Sequence, residues 1–147
     1  MYKRQVVLGV VVIVVATVCP WYSATTVGGS ATLAGWGVWR TSGDLNASLR
    51  VLPLAVFVYL SAAFMIYGAS KRRFGMALVG GMGIVAAGIL PFGLKGIVAR
   101  RLPGSDSVAV VLAAGPLLVL AIGLAVTTVC WIGYARWVLR AAPTSDS

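Results

Sequence analysis

Residues 74–94 read FGMALVGGMGIVAAGILPFGL, a stretch without a single charged side chain. An α-helix rises ~1.5 Å per residue, so ~20 apolar residues cross the ~30 Å hydrocarbon core of a bilayer. This stretch meets that length, and basic residues flank it on both sides, as is typical of membrane-spanning helices. The sequence therefore predicts a transmembrane helix over 74–94.

Three further charge-free stretches lie at 5–39, 51–70 and 107–135. The first is strongly apolar only as far as Cys19, because the following Pro20-Trp21-Tyr22 is typical of a membrane interface. The predicted fold is an all-α integral membrane protein, a four-helix transmembrane bundle that forms a single domain over residues 1–147. Its helices are expected at about 5–20, 50–70, 74–94 and 108–133.

The composition of the whole chain agrees with this class. Of its 147 residues, 60% are hydrophobic and 10% are charged, against about 25% charged in soluble domains. The net charge of +9 does not indicate nucleic-acid binding, because the basic residues are scattered between apolar stretches instead of forming one face. Membrane lipids are the expected partners of these basic residues.

The distribution of basic residues predicts the orientation. Cytoplasmic termini place more of them inside, including the Lys71-Arg72-Arg73 turn, so we expect a multi-pass protein of the plasma membrane with both termini in the cytoplasm. The margin is narrow, which leaves a dual-topology homodimer as an alternative. Lys3 and Arg4 also suit a signal peptide, but no small-x-small cleavage site follows the first helix.

Small residues mark the third helix as a packing element. In lipid, glycine and alanine let neighbouring backbones approach closely, so we expect this helix to be central and to pack on more than one partner. The alternative is that small residues are merely common in such helices. Pro91 and Pro116 are expected to kink the third and fourth helices. The predicted packing residues are Ala77, Gly80, Gly81, Gly83, Ala87 and Gly88.

The first outer loop, residues 20–49, is the only sizeable polar segment. Strand-forming residues flank Gly28-Gly29, which predicts a small β-hairpin on the outer membrane surface. Trp21, Trp36 and Trp39 are interpreted as a docking surface for another subunit, with an aromatic belt at the head-group level as the alternative. Asp44, Asn46 and Ser48 are candidates for the N-terminal cap of the second helix.

The second outer loop contains three basic residues between apolar ones. Lys95, Arg100 and Arg101 are predicted to bind lipid head groups in a short interfacial turn over 95–107. The alternative is a specific anionic ligand.

The chemistry of most active sites is absent from this sequence. The chain has no histidine and no glutamate, and its three Asp residues lie outside the apolar stretches, so we predict no enzyme activity, no catalytic residues, no metal and no cofactor. Cys19 and Cys130 are expected at opposite ends of the bundle, without a disulfide between them.

Residues 1–94 resemble the small four-span membrane proteins associated with tryptophan operons in high-GC Gram-positive bacteria. The resemblance rests on the basic start, a first helix ending at Pro20-Trp21-Tyr22, the Thr/Gly-rich segment 24–36 and the second-helix start Leu49-Arg50-Val51-Leu52-Pro53-Leu54. It implies a four-span architecture more than an activity. The layout and Gly37-Val38-Trp39 are also similar to claudins, but the paired loop cysteines of claudins are absent, which indicates convergence.

Two functions remain open at this point. The first is a non-catalytic accessory or stabilising subunit of a larger membrane complex, such as a transporter, a respiratory enzyme or an envelope-building assembly. The second is a small homo-oligomeric channel or carrier. In that case a path would be lined by Tyr59, Ser61, Pro91, Pro116, Thr127 and Thr128. A lipid-modifying enzyme is disfavoured, because no acid–base pair is visible.

Overall fold

The computed structural model describes residues 2–26, 28–43, 53–100 and 109–141. Within these ranges the chain is mostly helical. Its helices are α1 (Tyr2–Val18), α2 (Ala55–Ser70), α3 (Phe74–Arg100) and α4 (Ala114–Ala141). Its strands are β1 (Pro20–Thr26), β2 (Gly29–Ala34), β3 (Trp39–Gly43) and β4 (Ala109–Leu112). The proposed cap residues Asp44, Asn46 and Ser48 lie outside the described residues.

The four helices pack side by side, each antiparallel to the next. α3 packs against both α2 and α4, and α1 closes the ring by packing against α2 and α4. The order of the contacts along each pair establishes the opposite directions. Between α2 and α3, Gly68 lies against Ala77 and Gly80 against Met65. Between α3 and α4, Gly81 lies against Thr127 and Gly88 against Leu120. Gln5 of α1 contacts Cys130 of α4, whereas Pro20, just after α1, lies against Gly115 at the start of α4. Between α1 and α2, Gly9 lies against Ile66 and Thr17 contacts Tyr59.

The strands form one antiparallel sheet in the order β3-β2-β1-β4. It lies where α1 and α3 end and where α2 and α4 begin, which we call the sheet end of the bundle. The opposite end contains the Lys71–Arg73 turn, the start of α1 and the end of α4, and we call it the basic end. One sheet face is buried, and its residues are Tyr22, Ala24, Ala31, Leu33, Trp39 and Val110.

The sheet corrects the prediction of an all-α fold with an isolated hairpin. β1 and β2 do pair as a hairpin, but Thr26 pairs with Gly29, so Gly29 belongs to a strand and not to the turn. β4 (Ala109–Leu112) was predicted to begin the fourth helix, because a short apolar run fits either structure. Its pairing with β1 shows that it is a strand, and α4 begins only at Ala114.

The predictions for the end of the third helix and for a kink at Pro116 were also wrong. α3 continues past Leu94 to Arg100, because a helix does not have to end where its apolar stretch does, and Val98 is buried. Lys95 therefore lies on a helix and not in an interfacial turn. Pro116 lies in the first turn of α4, where a missing N–H costs little, so it is not a deep kink site.

In the part of the chain that the structure describes, two helical segments, Phe74–Val98 and Ala114–Arg140, are long and apolar enough to cross a membrane by length and composition. α1 and α2 are shorter, with 17 and 16 residues.

Candidate functional site

Gly35 is the point at which the sheet meets the helices. Its carbonyl oxygen accepts a hydrogen bond of 3.1 Å from the N–H of Ala55, where α2 begins. A Cβ at Gly35 would collide with the carbonyl oxygen of Ala16 and would lie 2.8 Å from Nε1 of Trp21. Only glycine fits this approach, which fixes the β2–β3 hairpin against the ends of two helices.

The hairpin turn between β2 and β3 is closed by two backbone hydrogen bonds and is apolar at its tip. The N–H of Gly37 donates to the carbonyl of Ala34 at 3.0 Å, and the N–H of Ala34 donates to the carbonyl of Val38 at 3.1 Å. Gly37 has a φ of 77°, the left-handed conformation that glycine adopts at no steric cost. Trp36 and Val38 are 52% and 59% exposed on this turn.

Trp36 contacts α2 through an aromatic pair. Its ring centroid lies 5.3 Å from that of Tyr59, with the two planes tilted by 55°, a favourable geometry for aromatic side chains. The Thr17 hydroxyl lies 2.7 Å from the carbonyl oxygen of Ile13 and 2.6 Å from the Tyr59 hydroxyl. Because Thr17 has one proton and donates it to Ile13, Tyr59 is the donor to Thr17.

A cavity of about 460 Å³ opens beside Trp36 and Thr17, and we call it the sheet-end cavity. Its volume falls in the range of small-ligand and side-chain pockets. The lining offers hydroxyl groups, an indole and one guanidinium, groups that bind a ligand or a partner side chain by hydrogen bonding, stacking and charge. The lining residues are Thr17, Val18, Pro20, Thr32, Ala34, Trp36 and Arg40.

The three predicted interface tryptophans have different positions. Trp36 is exposed, whereas Trp21 is 1% exposed and donates from Nε1 to the carbonyl of Ala16 at 3.0 Å. Trp39 is 8% exposed, and its indole N–H has no hydrogen-bond partner among the described residues. Trp21 and Trp39 are thus core residues and do not form a docking surface, because their rings lie beneath the sheet end.

The small residues of α3 lie on two of its faces. A Cβ at Gly80 would lie 2.5 Å from the backbone nitrogen of Met65 on α2, and one at Gly83 would lie 2.5 Å from Oγ of Ser61. On the other face, the contacts of Gly81 and Gly88 are with Thr127 and Leu120 of α4. Ala77 and Ala87 are buried. The predicted packing set therefore lies between α3 and both of its neighbours.

The predicted head-group residues are not brought together as a site by the described residues. Lys95 is exposed on α3, Arg100 is the last residue of that helix, and Arg101 lies outside the described residues.

Several of the residues proposed to line a channel make contacts within one copy of the chain. Tyr59 bonds to Thr17, Thr127 donates to the carbonyl of Gly123, and Pro91 and Pro116 are fully buried. Apolar residues fill the space between the helices. Fully buried examples are Val12, Val58, Ala62, Met65, Ile84, Val119 and Val126.

The two cysteines are free. Cys19 follows α1 at the sheet end, whereas Cys130 is buried in α4, where its Sγ accepts a hydrogen bond of 3.4 Å from Nε2 of Gln5. Among the described residues, no group of three His, Cys, Asp or Glu side chains could hold a metal ion.

The sequence did not identify two residues that connect the sheet to the helices, Gly35 and Tyr22. Tyr22 is fully buried, and burial raises the pKa of its hydroxyl to about 12. Both residues act through contacts far away in the chain, for which no local sequence signal exists.

Comparison with protein families, curated proteins and solved structures finds no match to this chain. The resemblance of residues 1–94 to tryptophan-operon-associated membrane proteins stays a prediction.

Proposed function

We propose that this chain is a non-catalytic subunit of a larger membrane complex, with four spans in the plasma membrane and both termini in the cytoplasm. Its sheet end binds a partner protein on the outer side. The observation that carries this proposal is the hydrogen-bonded turn on which Trp36 and Val38 are exposed, directly beside β3.

The outward faces of all four helices support insertion in lipid. A helix that is apolar on every side is either buried in protein or surrounded by lipid, and a soluble monomer rarely exposes a large continuous apolar surface. Exposed examples, two from each helix in chain order, are Val7 and Val14, Leu60 and Phe64, Val79 and Met82, and Leu117 and Leu124.

The packing of α1 and α2 supports four spans in place of two. At ~1.5 Å per residue their 17 and 16 residues are ~25 Å long, somewhat short of the hydrocarbon core. Local thinning of the bilayer accommodates such a deficit at a modest cost. Both helices lie antiparallel beside α3 or α4, so a bilayer around the two long helices encloses the two short ones as well.

The chemistry of the sheet end favours an extended segment of a partner protein. Among the described residues β3 pairs with a strand on one side only, so its other edge offers backbone hydrogen-bonding groups for an added strand. Arg40 lies on β3 and lines the sheet-end cavity together with Trp36. A partner that places a carboxylate near Arg40 and an apolar side chain against Trp36 would complement this surface.

Site-specific photo-crosslinking in native membranes tests the docking surface. A photoreactive residue replaces Val38 at the turn or, as the control, Leu60 on the outward face of α2. We expect one discrete heterologous protein adduct from position 38 and only lipid adducts from position 60. The adduct should weaken when Trp36→Ala and Arg40→Ala are combined. Adducts formed only with lipid, or only with a second copy of this chain, would contradict a hetero-complex subunit.

Thiol accessibility tests whether α2, one of the two short helices, crosses the membrane. In a Cys19→Ser, Cys130→Ser background, Ser42→Cys places a thiol on β3 and Ser70→Cys places one at the end of α2. A membrane-impermeant maleimide should label position 42 in intact cells, and position 70 only after the membrane is permeabilised. Equal labelling of both positions before permeabilisation would rule out a crossing by α2.

A further inference from the structure

A small cavity lies at the basic end, far from the sheet-end cavity. It has a volume of about 280 Å³, and we call it the basic notch. Its walls come from the α2–α3 turn, the first residues of α3 and one face of α4. The lining residues are Arg72, Arg73, Phe74, Gly75, Tyr134 and Trp137.

Two backbone hydrogen bonds fix the conformation of the turn that carries Arg72 and Arg73. The N–H of Arg73 donates to the carbonyl of Gly68 at 2.8 Å, and the N–H of Arg72 donates to that of Ala69 at 3.2 Å. This pair of bonds is the Schellman ending of a helix, in which glycine usually occupies the left-handed position. Here Arg72 occupies it with a φ of 55°. An arginine in this conformation carries a backbone strain that glycine would not.

The charge around the notch is uncompensated among the described residues. These ranges contain no Asp or Glu, and the first turn of α3 has no acidic residue. The N-terminus of a helix attracts anions through its free N–H groups and its dipole. A Cβ at Gly75 would meet nothing within 4 Å, so the approach to this turn is open.

Aromatic side chains form the third wall. The ring centroids of Tyr134 and Trp137 are 6.2 Å apart, and Trp131 continues the same ladder at 6.2 Å from Tyr134. Tryptophan and tyrosine with a polar tip collect at the head-group level of a bilayer. An anion bound here would thus have two arginine side chains beside it, with Nη1 of Arg73 also 3.9 Å from Sδ of Met76, and an amphipathic aromatic surface along its apolar side.

We propose that the basic notch binds the phosphate of an anionic phospholipid head group, with Arg72 and Arg73 as its charged contacts and with Tyr134 and Trp137 against its glycerol. Guanidinium groups pair with phosphate oxygens through two parallel hydrogen bonds, which a single ammonium cannot do. The inference rests on the proposed membrane-spanning function, since that function places the notch at head-group depth.

Lipid retention measured by native mass spectrometry tests the site. The purified protein in neutral detergent is titrated with phosphatidylglycerol, with phosphatidylcholine or with inorganic phosphate. We expect phosphatidylglycerol to remain bound and the other two to bind weakly. Arg72→Gly and Arg73→Gln should each lower retention about tenfold, since each removes a charge-assisted contact. The matched control, Arg136→Gln, removes a charge on α4 that does not line the notch, and should leave retention unchanged.

Each contrary result overturns the proposal in a distinct way. Equal losses in all three variants would show diffuse attraction to the basic end, and competition by inorganic phosphate at the same concentration as lipid would show a site for a free anion. Glycine adopts the left-handed conformation of Arg72 without strain, so Arg72→Gly is expected to leave the turn folded. A loss of lipid in this variant would therefore reflect the missing guanidinium. If lipid binding fails while thiol labelling still shows a crossing by α2, only this inference falls. If the labelling shows no such crossing, the proposed function falls first.

Discussion

The hydroxyl of Tyr22 donates a hydrogen bond of 2.6 Å to the carbonyl oxygen of Pro91, sixty-nine positions further along the chain. Tyr22 lies on β1 and is fully buried, whereas Pro91 lies inside α3. A proline removes one intrahelical bond from a helix interior. The tyrosine therefore joins the sheet to α3 close to the place where that helix is weakest.

Replacing Tyr22 with phenylalanine should destabilise the protein without changing its fold. The ring stays in place, but the bond to Pro91 is lost, which should lower the free energy of unfolding by about 1 kcal/mol. Unfolding by SDS in mixed micelles measures the change. Tyr67→Phe is the control, because Tyr67 is exposed and should lose almost nothing. Equal effects at both positions would show that the buried bond contributes no stability.

The same hydroxyl predicts how stability depends on pH. Burial raises the pKa of Tyr22 to about 12, above the usual value of about 10 in the unfolded chain. Folding therefore favours the neutral hydroxyl, and this contribution is complete below pH ~10 and is lost as the pH rises towards 12. Thermal unfolding between these limits should show a fall that is shallower in Tyr22→Phe. Parallel curves for both proteins would contradict a buried, neutral Tyr22.

Gly80 and Gly93 allow a matched test of helix packing. A Cβ at Gly80 would lie 2.5 Å from the backbone nitrogen of Met65, so Gly80→Ala has to separate α2 from α3. We expect a loss of about 1–3 kcal/mol, typical of overpacking. A Cβ at Gly93 meets nothing within 4 Å, and Gly93→Ala should stabilise the helix by up to ~1 kcal/mol. If Gly93→Ala lowered the free energy of unfolding as much as Gly80→Ala, glycine would be needed for helix flexibility and not for close packing.

The helices were predictable because their signal is local. An uncharged run such as 74–94 is visible in the sequence itself, and α3 begins at Phe74 as expected. The far end of α3 was not predictable from charge, because Lys95 extends outward while Val98 one turn later is buried. β4 was missed because AVVL fits a helix or a strand equally, and only its partner β1, distant in sequence, decides.

The surface residues were harder to predict than the helices. Three tryptophans within one loop look alike in sequence, yet Trp36 is exposed while Trp21 and Trp39 are buried. Trp36 lies in the turn between β2 and β3, whereas Trp39 lies on the buried face of β3 and Trp21 lies at a shift of the β1 register between Pro20 and Tyr22. Such register details depend on pairing across the sheet, which composition does not contain.

The two free cysteines report on whether the bundle is closed at its basic end. Cys130 is buried beside Gln5, whereas Cys19 is half-buried at the sheet end. In neutral detergent we expect a maleimide to label Cys19 readily. Cys130 should react only when α4 separates from α1, so its labelling should rise with SDS concentration in parallel with unfolding. Gln5→Ala removes the neighbouring side chain and should speed the labelling of Cys130 while leaving Cys19 unchanged, with Cys130→Ser identifying the slow site. Rapid modification of both thiols in the native protein would mean that α1 does not cover α4 near Gln5, and the ring of four helices would then be open at that seam.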